Sequence, residues 1–126
     1  MIINVSLVSI PVRDKDKAIA FYTKKLGFEL QVDVPCDGER WVELIIPGCP
    51  IQIALYTYHG QEDRIGTRSN ICFGCRDAYT TYTDLTAKGV EFLEKPTKQS
   101  WGGVTAIFKD PDGNQFCLYS ESKEEE

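Results

Sequence analysis

RDKDKAIAFYTKKLGFEL, residues 13–30, decides the fold, because its pattern returns at residues 76–92 as RDAYTTYTDLTAKGVEF. Each copy begins with an Arg-Asp pair, Arg13-Asp14 and Arg76-Asp77, whose aspartate can accept from the free N–H groups that open a helix. Apolar residues then recur at helical spacing: Ala18, Phe21, Tyr22 and Leu26 in the first copy, Ala78, Tyr82 and Leu85 in the second. Gly27 and Gly89 supply the left-handed stop. The exits also match, Leu26-Gly27-Phe28-Glu29-Leu30 against Lys88-Gly89-Val90-Glu91-Phe92.

Outward from these helices the period changes to that of strands. Residues 5–12 precede the first helix, with Val8, Ile10 and Val12 on one face and Pro11 tolerable near a strand end or sheet edge. Residues 28–34, 40–46 and 51–58 follow it, parted by Cys36-Asp37-Gly38 and by Pro47-Gly48-Cys49-Pro50. The second helix is preceded by strand-like residues 69–75 and followed by 90–93, 104–108 and 115–119, with Asp110-Pro111-Asp112-Gly113 as the last hairpin turn. The chain therefore reads as βαβββ twice, parted by linker-like residues 58–66: module one over about 1–58, module two over about 67–120 and an acidic tail over 121–126, all within one domain. Copies of about sixty residues each bury a marginal core, so they are expected to share one continuous sheet. Helices then cover its outer face, and the inner face curves around a cavity.

Composition bounds the function. At 126 residues, 42% hydrophobic and 26% charged, the chain has the balance of a folded domain. No apolar run approaches the ~20 residues needed to span a bilayer, and no signal-peptide pattern opens the chain, so the expectation is a cytoplasmic protein without a membrane partner. Five cysteines, Cys36, Cys49, Cys72, Cys75 and Cys117, are odd in number and lie among strand-like residues, which fits reduced thiols. Of the net charge of −5, the tail from Glu121 carries −3, leaving −2 for the body. A nearly neutral body lacks the basic stripe that nucleic acid requires.

Paired βαβββ units carrying Ile10-Pro11-Val12-Arg13-Asp14, Ala20-Phe21-Tyr22, Leu26-Gly27-Phe28, Asp77, Lys88-Gly89-Val90 and Phe108-Lys109-Asp110-Pro111-Asp112-Gly113-Asn114 resemble the vicinal oxygen chelate superfamily of glyoxalases, bleomycin-resistance proteins and dioxygenases. The resemblance covers nearly the whole chain. It implies an α+β fold whose two modules form an open, eight-stranded, cup-shaped sheet with helices outside, usually in a homodimer. In metal-using members, four strands each supply one His, Glu or Gln ligand at the floor of the cup. Motif matching puts those positions at Leu7, Ala54, Asn70 and Cys117. Leu7 and Ala54 have no donor atom, Asn70 offers a carbonyl oxygen, and Cys117 alone would not hold a divalent ion needing four to six partners. No metal ligands and no cofactor are therefore expected.

Alternation supports the same register. Val8, Ile10 and Val12, Ile51, Ile53 and Leu55, Ile71 and Phe73, and Phe116 and Leu118 form an apolar, helix-covered set. Opposite them stand Leu7, Ser9, Gln52, Ala54, Tyr56, Asn70, Cys72, Gln115, Cys117 and Tyr119, a mixed wall suited to a partly polar ligand. Trp41 and Trp101 are added as stacking surfaces, although an indole serves core or dimer packing equally well. Gly102-Gly103 would let Trp101 act as a mobile lip.

For catalysis, the candidates are Glu43, which shares the parity of Trp41 and would gain basicity if desolvated, and Cys117 as a thiol facing the cavity. The plainer readings are a rim or dimer-contact carboxylate and a small hydrophobe. Cys72-Phe73-Gly74-Cys75 lies in a strand, not at a helix start, and alternation parts its thiols, so it reads as packing and not as a redox or zinc motif. His59 reads as an exposed loop residue, and Tyr79 and Tyr82 read as packing, as Tyr119 does in its plainer role. The expected function is binding and sequestering a small organic molecule without metal, with Gln52, Asn70 and Gln115 orienting it. The alternatives are a metal-dependent glyoxalase-like lyase or isomerase or a dioxygenase, in which a divalent ion is the cofactor, and a dimerisation or regulatory module with a filled cavity.

Overall fold

Asp14 and Asp77 open the two helices as their positions dictate: the Lys17 N–H donates to Asp14 Oδ1 at 3.1 Å and the Tyr79 N–H to Asp77 Oδ1 at 3.0 Å. A computed structural model describes residues 1–122; Lys123 to Glu126, most of the expected acidic tail, lie outside the described residues. The chain divides into two units, Met1–Gly66 and one starting at Thr67. Each is a βαβββ module, and the fold is α+β with eight strands in two four-stranded sheets. The hydrogen-bonded ladders that the sequence was expected to run together thus form one per module.

Module one comprises β1 (Leu7–Ile10), α1 (Lys15–Ala20), β2 (Glu29–Cys36), β3 (Glu39–Ile45) and β4 (Gln52–Leu55), in the sheet order β1-β4-β3-β2. Only the β1–β4 pairing is parallel. The helical segment does not keep one winding: residues 21–25 form a π-helix before Gly27 turns out at φ 81. Phe21 and Tyr22 are both buried, as their spacing from Ala18 predicts, and Tyr22 packs on Phe28. Asp37 and Gly38, at φ 49 and 81, make the two-residue β2–β3 turn, since both positions need the left-handed region. Ile10, Val42, Leu44, Ile53 and Leu55 are all at most 2% exposed and form the helix-side face. β1 is shorter than expected, and Val5 lies outside it, exposed.

Module two comprises β5 (Arg68–Gly74), α2 (Ala78–Ala87), β6 (Glu91–Lys98), β7 (Gly103–Lys109) and β8 (Gln115–Glu121), in the order β5-β8-β7-β6. α2 packs on β6, β7 and β8, and its Ala78 N–H donates to the buried Ser120 Oγ at 2.9 Å. β6 runs five residues past its expected end at 93, to Lys98, with Pro96 tolerated because β6 is an edge strand. β8 includes Glu121, so the expected tail begins one residue later than the sequence suggested.

The β7–β8 turn rests on Asp110, which is 4% exposed. Its carboxylate accepts from the Asp112 and Asn114 N–H groups and from Asn114 Nδ2, each at 2.9 Å. Residues 58–66, read as a structureless linker, contain a short 3₁₀ turn over Glu62–Arg64.

Candidate ligand-binding site

Strand pairing sets which side chains share a face. In module one, Ser9 pairs with Ala54, Ala54 with Glu43, and Glu43 with Val32; one step along, Leu7 pairs with Gln52, and Gln52 with Ile45. Val8 and Ile10 pair instead with Ile53 and Leu55 of the helix-side core. Leu7, Ser9, Gln52 and Ala54 therefore lie on the face away from the helix, as alternation required.

Aromatic residues line the same face. Trp41 packs on Tyr56 with ring centroids 5.0 Å apart, and Tyr56 on Tyr58 at 5.1 Å. The Trp41 indole N–H donates to Glu43 Oε2, and Ser9 Oγ donates to the Tyr58 hydroxyl at 3.2 Å. Lys15 Nζ stands 5.4 Å from the Tyr56 ring centre. Desolvation, followed by the nearby Glu39, Cys36 and Asp37, pushes the Tyr56 phenol above its ordinary value, so it stays a neutral donor. Glu43, the candidate base, thus has one oxygen engaged by an indole. Ala54 is fully buried.

Module two supplies a cleft of ≈ 440 Å³ lined chiefly by Arg68, Asn70, Glu94, Ile107, Gln115 and Cys117. Asn70 departs from the alternation that placed it. At φ 63 it sits in the left-handed region, where asparagine is among the better-tolerated side chains, and the β5–β8 register shifts between Arg68 and Cys72. Ser69 holds this bulge by donating from Oγ to the Gln115 carbonyl at 2.8 Å and accepting the Ile71 N–H at 3.1 Å. Ile71, assigned by alternation to the helix-covered face, borders the cleft for the same reason.

Beyond the bulge, Cys72 pairs with Cys117 and Gly74 with Tyr119. Burial of the sulfur, and then the Cys117 and Cys75 thiols, raise the Cys72 pKa to about 11. A thiol so raised is a poor nucleophile, and all five cysteines are free.

Trp101 is 65% exposed and stacks on Tyr119, centroids 5.9 Å apart at 20° between planes. Gly103 is what permits this, because a Cβ there would collide with the Trp101 and Tyr119 rings. The Gly102-Gly103 pair thus has a packing reason: Gly102 turns at φ 107, and the Gly103 carbonyl accepts from the Gln99 N–H at 2.7 Å. Each tryptophan packs on a tyrosine of its own module.

His59 is exposed in its loop. Tyr82 packs edge-on against Phe92, whereas Tyr79 is 52% exposed.

Sequence reasoning overlooked Tyr58, which had been placed at the start of the linker, and Arg68 and Glu94 of the cleft. Parity could have found Glu94 through its pairing with Ile107, had β6 been read to its full length. Arg68 carried no signal, because the Asn70 bulge hides the register before it.

The donor set can be tested against a hard divalent ion. Leu7 and Ala54 offer no donor, and among the described residues no three His, Cys, Asp or Glu side chains gather as a ligand group. The residues present do not fit such an ion.

Comparison with known proteins gives the same frame. The sequence profile described as the Glyoxalase/Bleomycin resistance protein/Dioxygenase superfamily matches residues 4–118. The uncharacterized protein YetH of Bacillus subtilis (strain 168) is 34% identical over 119 residues, covering 94% of this chain and 98% of that protein. The crystal structure of a member of the same superfamily from Sphaerobacter thermophilus DSM 20745 is 38% identical, with TM-score 0.87 over 95% of this chain and 98% of that one. The structure of TnmS3, an antibiotic binding protein from Streptomyces sp. CB03234, is 30% identical, with TM-score 0.85 over 96% of this chain and 98% of that one.

Proposed function

The chain belongs to the Glyoxalase/Bleomycin resistance protein/Dioxygenase superfamily, and from that premise we propose that it binds and sequesters a small, partly aromatic organic molecule without a resident divalent metal. The observation that carries this reading is the pair of unlike surfaces built on a donor-poor frame. Trp41, Tyr56 and Tyr58 form a continuous aromatic face in module one. The module-two cleft, ≈ 440 Å³ in volume, is of ligand size and mixes Ile107 with the polar Asn70 and Gln115.

Affinity comes from stacking on the rings and from apolar burial. Each surface offers its own contacts: the module-one face adds the exposed Gln52 to its rings, and the module-two cleft offers Asn70 and Gln115 as hydrogen-bonding groups. TnmS3, an antibiotic binding protein, is similar in sequence and architecture and supports the reading of a small-molecule binding protein. A lyase, isomerase or dioxygenase chemistry would need Lewis-acid charge where Leu7 and Ala54 offer carbon. The protein acts as a homodimer in the cytoplasm, where its five free cysteines stay reduced. Among the described residues no helix is long and apolar enough to cross a membrane.

Native mass spectrometry of the protein purified without chelator, paired with elemental analysis, tests all of this together. The expected result is a dimer free of stoichiometric nickel, zinc, manganese, iron or cobalt that takes up polycyclic aromatic antibiotics with quenching of tryptophan fluorescence. One divalent ion per chain, or indifference of the indoles to every aromatic compound tried, would sink the reading.

A further inference from the structure

Two cysteines stand side by side across β5 and β8, and among the described residues no group of three metal-ligating side chains forms around them. Cys72 is in direct register with Cys117, so their backbones stand about 4.8 Å apart, as neighbouring strands do. Both side chains rise on the face away from α2, because Phe73 and Leu118, the next pair in register, face the helix-side core.

Cys117 Sγ lies 3.6 Å from the Leu118 carbonyl oxygen. β5 is an edge strand and Cys72 is exposed, while Cys117 lines the open cleft, so the pair is reached from solvent. Ile107 pairs with Cys117 on its other side and separates it from Glu94. The result is two soft donors beside an apolar neighbour, with no group of three ligating side chains among the described residues.

We propose that Cys72 and Cys117 form a two-thiolate site for a soft univalent cation, cuprous copper. A d¹⁰ univalent ion accepts two thiolates in near-linear coordination, whereas zinc, calcium and magnesium need four or more partners. Binding changes no oxidation state. Each thiol releases one proton, two sulfur–copper bonds form, and the site carries a net single negative charge. Cys75, of opposite strand parity and with its N–H bonded to the Tyr119 carbonyl at 2.8 Å, is outside the pair.

The test is anaerobic titration of the reduced chain with cuprous ion held as its bicinchoninate complex, followed by the loss of the complex's visible absorbance. Wild-type protein should extract one equivalent per chain, Cys75→Ser should do the same, and Cys72→Ser and Cys117→Ser should each lose more than tenfold in extraction. Far-UV circular dichroism checks that the variants fold. A second measurement needs no variant: at pH 10, iodoacetamide labelling read by peptide mapping should slow at Cys72 and Cys117 when copper is bound, relative to the copper-free chain, and stay unchanged at Cys36 and Cys49. Failure of the wild type to extract copper, undiminished extraction by Cys117→Ser, dependence on Cys75, or protection of other cysteines would each overturn the assignment.

Discussion

The two modules share one chain path and fill the helix side of their strands with different residues. Module two packs Phe73, Phe108 and Phe116 together on the helix side, with centroids 5.3 to 6.2 Å apart, and Phe92 joins them. Module one fills the sheet's helix side with Ile10, Val42, Leu44, Ile53 and Leu55 and sends Trp41, Tyr56 and Tyr58 to the other face. Strand parity fixes which positions are core, but not whether the rings go there. The module with aliphatic core strands presents a π surface, and the module with an aromatic core presents short polar side chains and thiols around a cleft.

Core truncation puts the largest strain on this comparison. Phe108→Ala should cost about 3–5 kcal/mol, and Leu44→Ala about 2–5 kcal/mol, as for large-to-small changes at buried sites; both residues are at most 1% exposed. Urea denaturation of the two variants decides it, and a loss under about 1 kcal/mol for Phe108→Ala would mean that the phenylalanine cluster does not hold module two together. Next in size is Asp110→Ala, which removes a buried carboxylate accepting three hydrogen bonds and should cost about 1.5–3 kcal/mol. The module-one turn at Gly48, φ 84, is held instead by the Cys49 N–H to the Ile46 carbonyl at 2.9 Å. A near-neutral Asp110→Ala would erase that difference between the turns.

Much of this was legible in the sequence because the repeat states it twice. Asp14 and Asp77 cap, Gly27 and Gly89 stop, and motif matching checked by alternation placed Leu7, Ser9, Gln52, Ala54, Trp41 and Glu43 on one face. The illegible parts are those where the backbone leaves its period. The π winding at 21–25 is one, because the helical spacing that groups Ala18, Phe21 and Tyr22 carries no sign of it. The bulge at Asn70 breaks the alternation before Cys72, which hid Arg68 and brought Ile71 to the cleft. Partners across strands, such as Trp41 with Tyr56 or Cys72 with Cys117, depend on register between distant segments, which a single strand's alternation does not set.

Ligand binding should sharpen the contrast between the two indoles. Trp41 is half-buried within the aromatic face, and Trp41→Ala should weaken binding of a planar aromatic ligand about tenfold, roughly 1.4 kcal/mol. Trp101, 65% exposed and resting on Tyr119 alone among the ring contacts described for it, should cost about threefold or less when cut to alanine. Fluorescence titration of both variants reads the ratio, and an equal or reversed loss would move the principal stacking surface to module two.

The smallest effect belongs to the thiol at the module-two face. The Cys72 pKa is raised to about 11, first by burial and then by the Cys117 and Cys75 thiols, so folding favours its neutral form. Its contribution to stability is therefore fully present below the unfolded thiol value of about 8.5 and is lost as pH rises through the folded value. Reaction with iodoacetamide follows the thiolate fraction, so the Cys72 rate should still be climbing at pH 10, where an ordinary thiol has levelled off. Cys117→Ser should lower the midpoint without restoring it fully, because burial remains when the neighbouring sulfur goes. A wild-type rate that levels off near pH 9, followed by peptide mapping at Cys72, would show that the face of module two is as open to water as its strand-edge position allows, and that the neighbouring thiols leave Cys72 unperturbed.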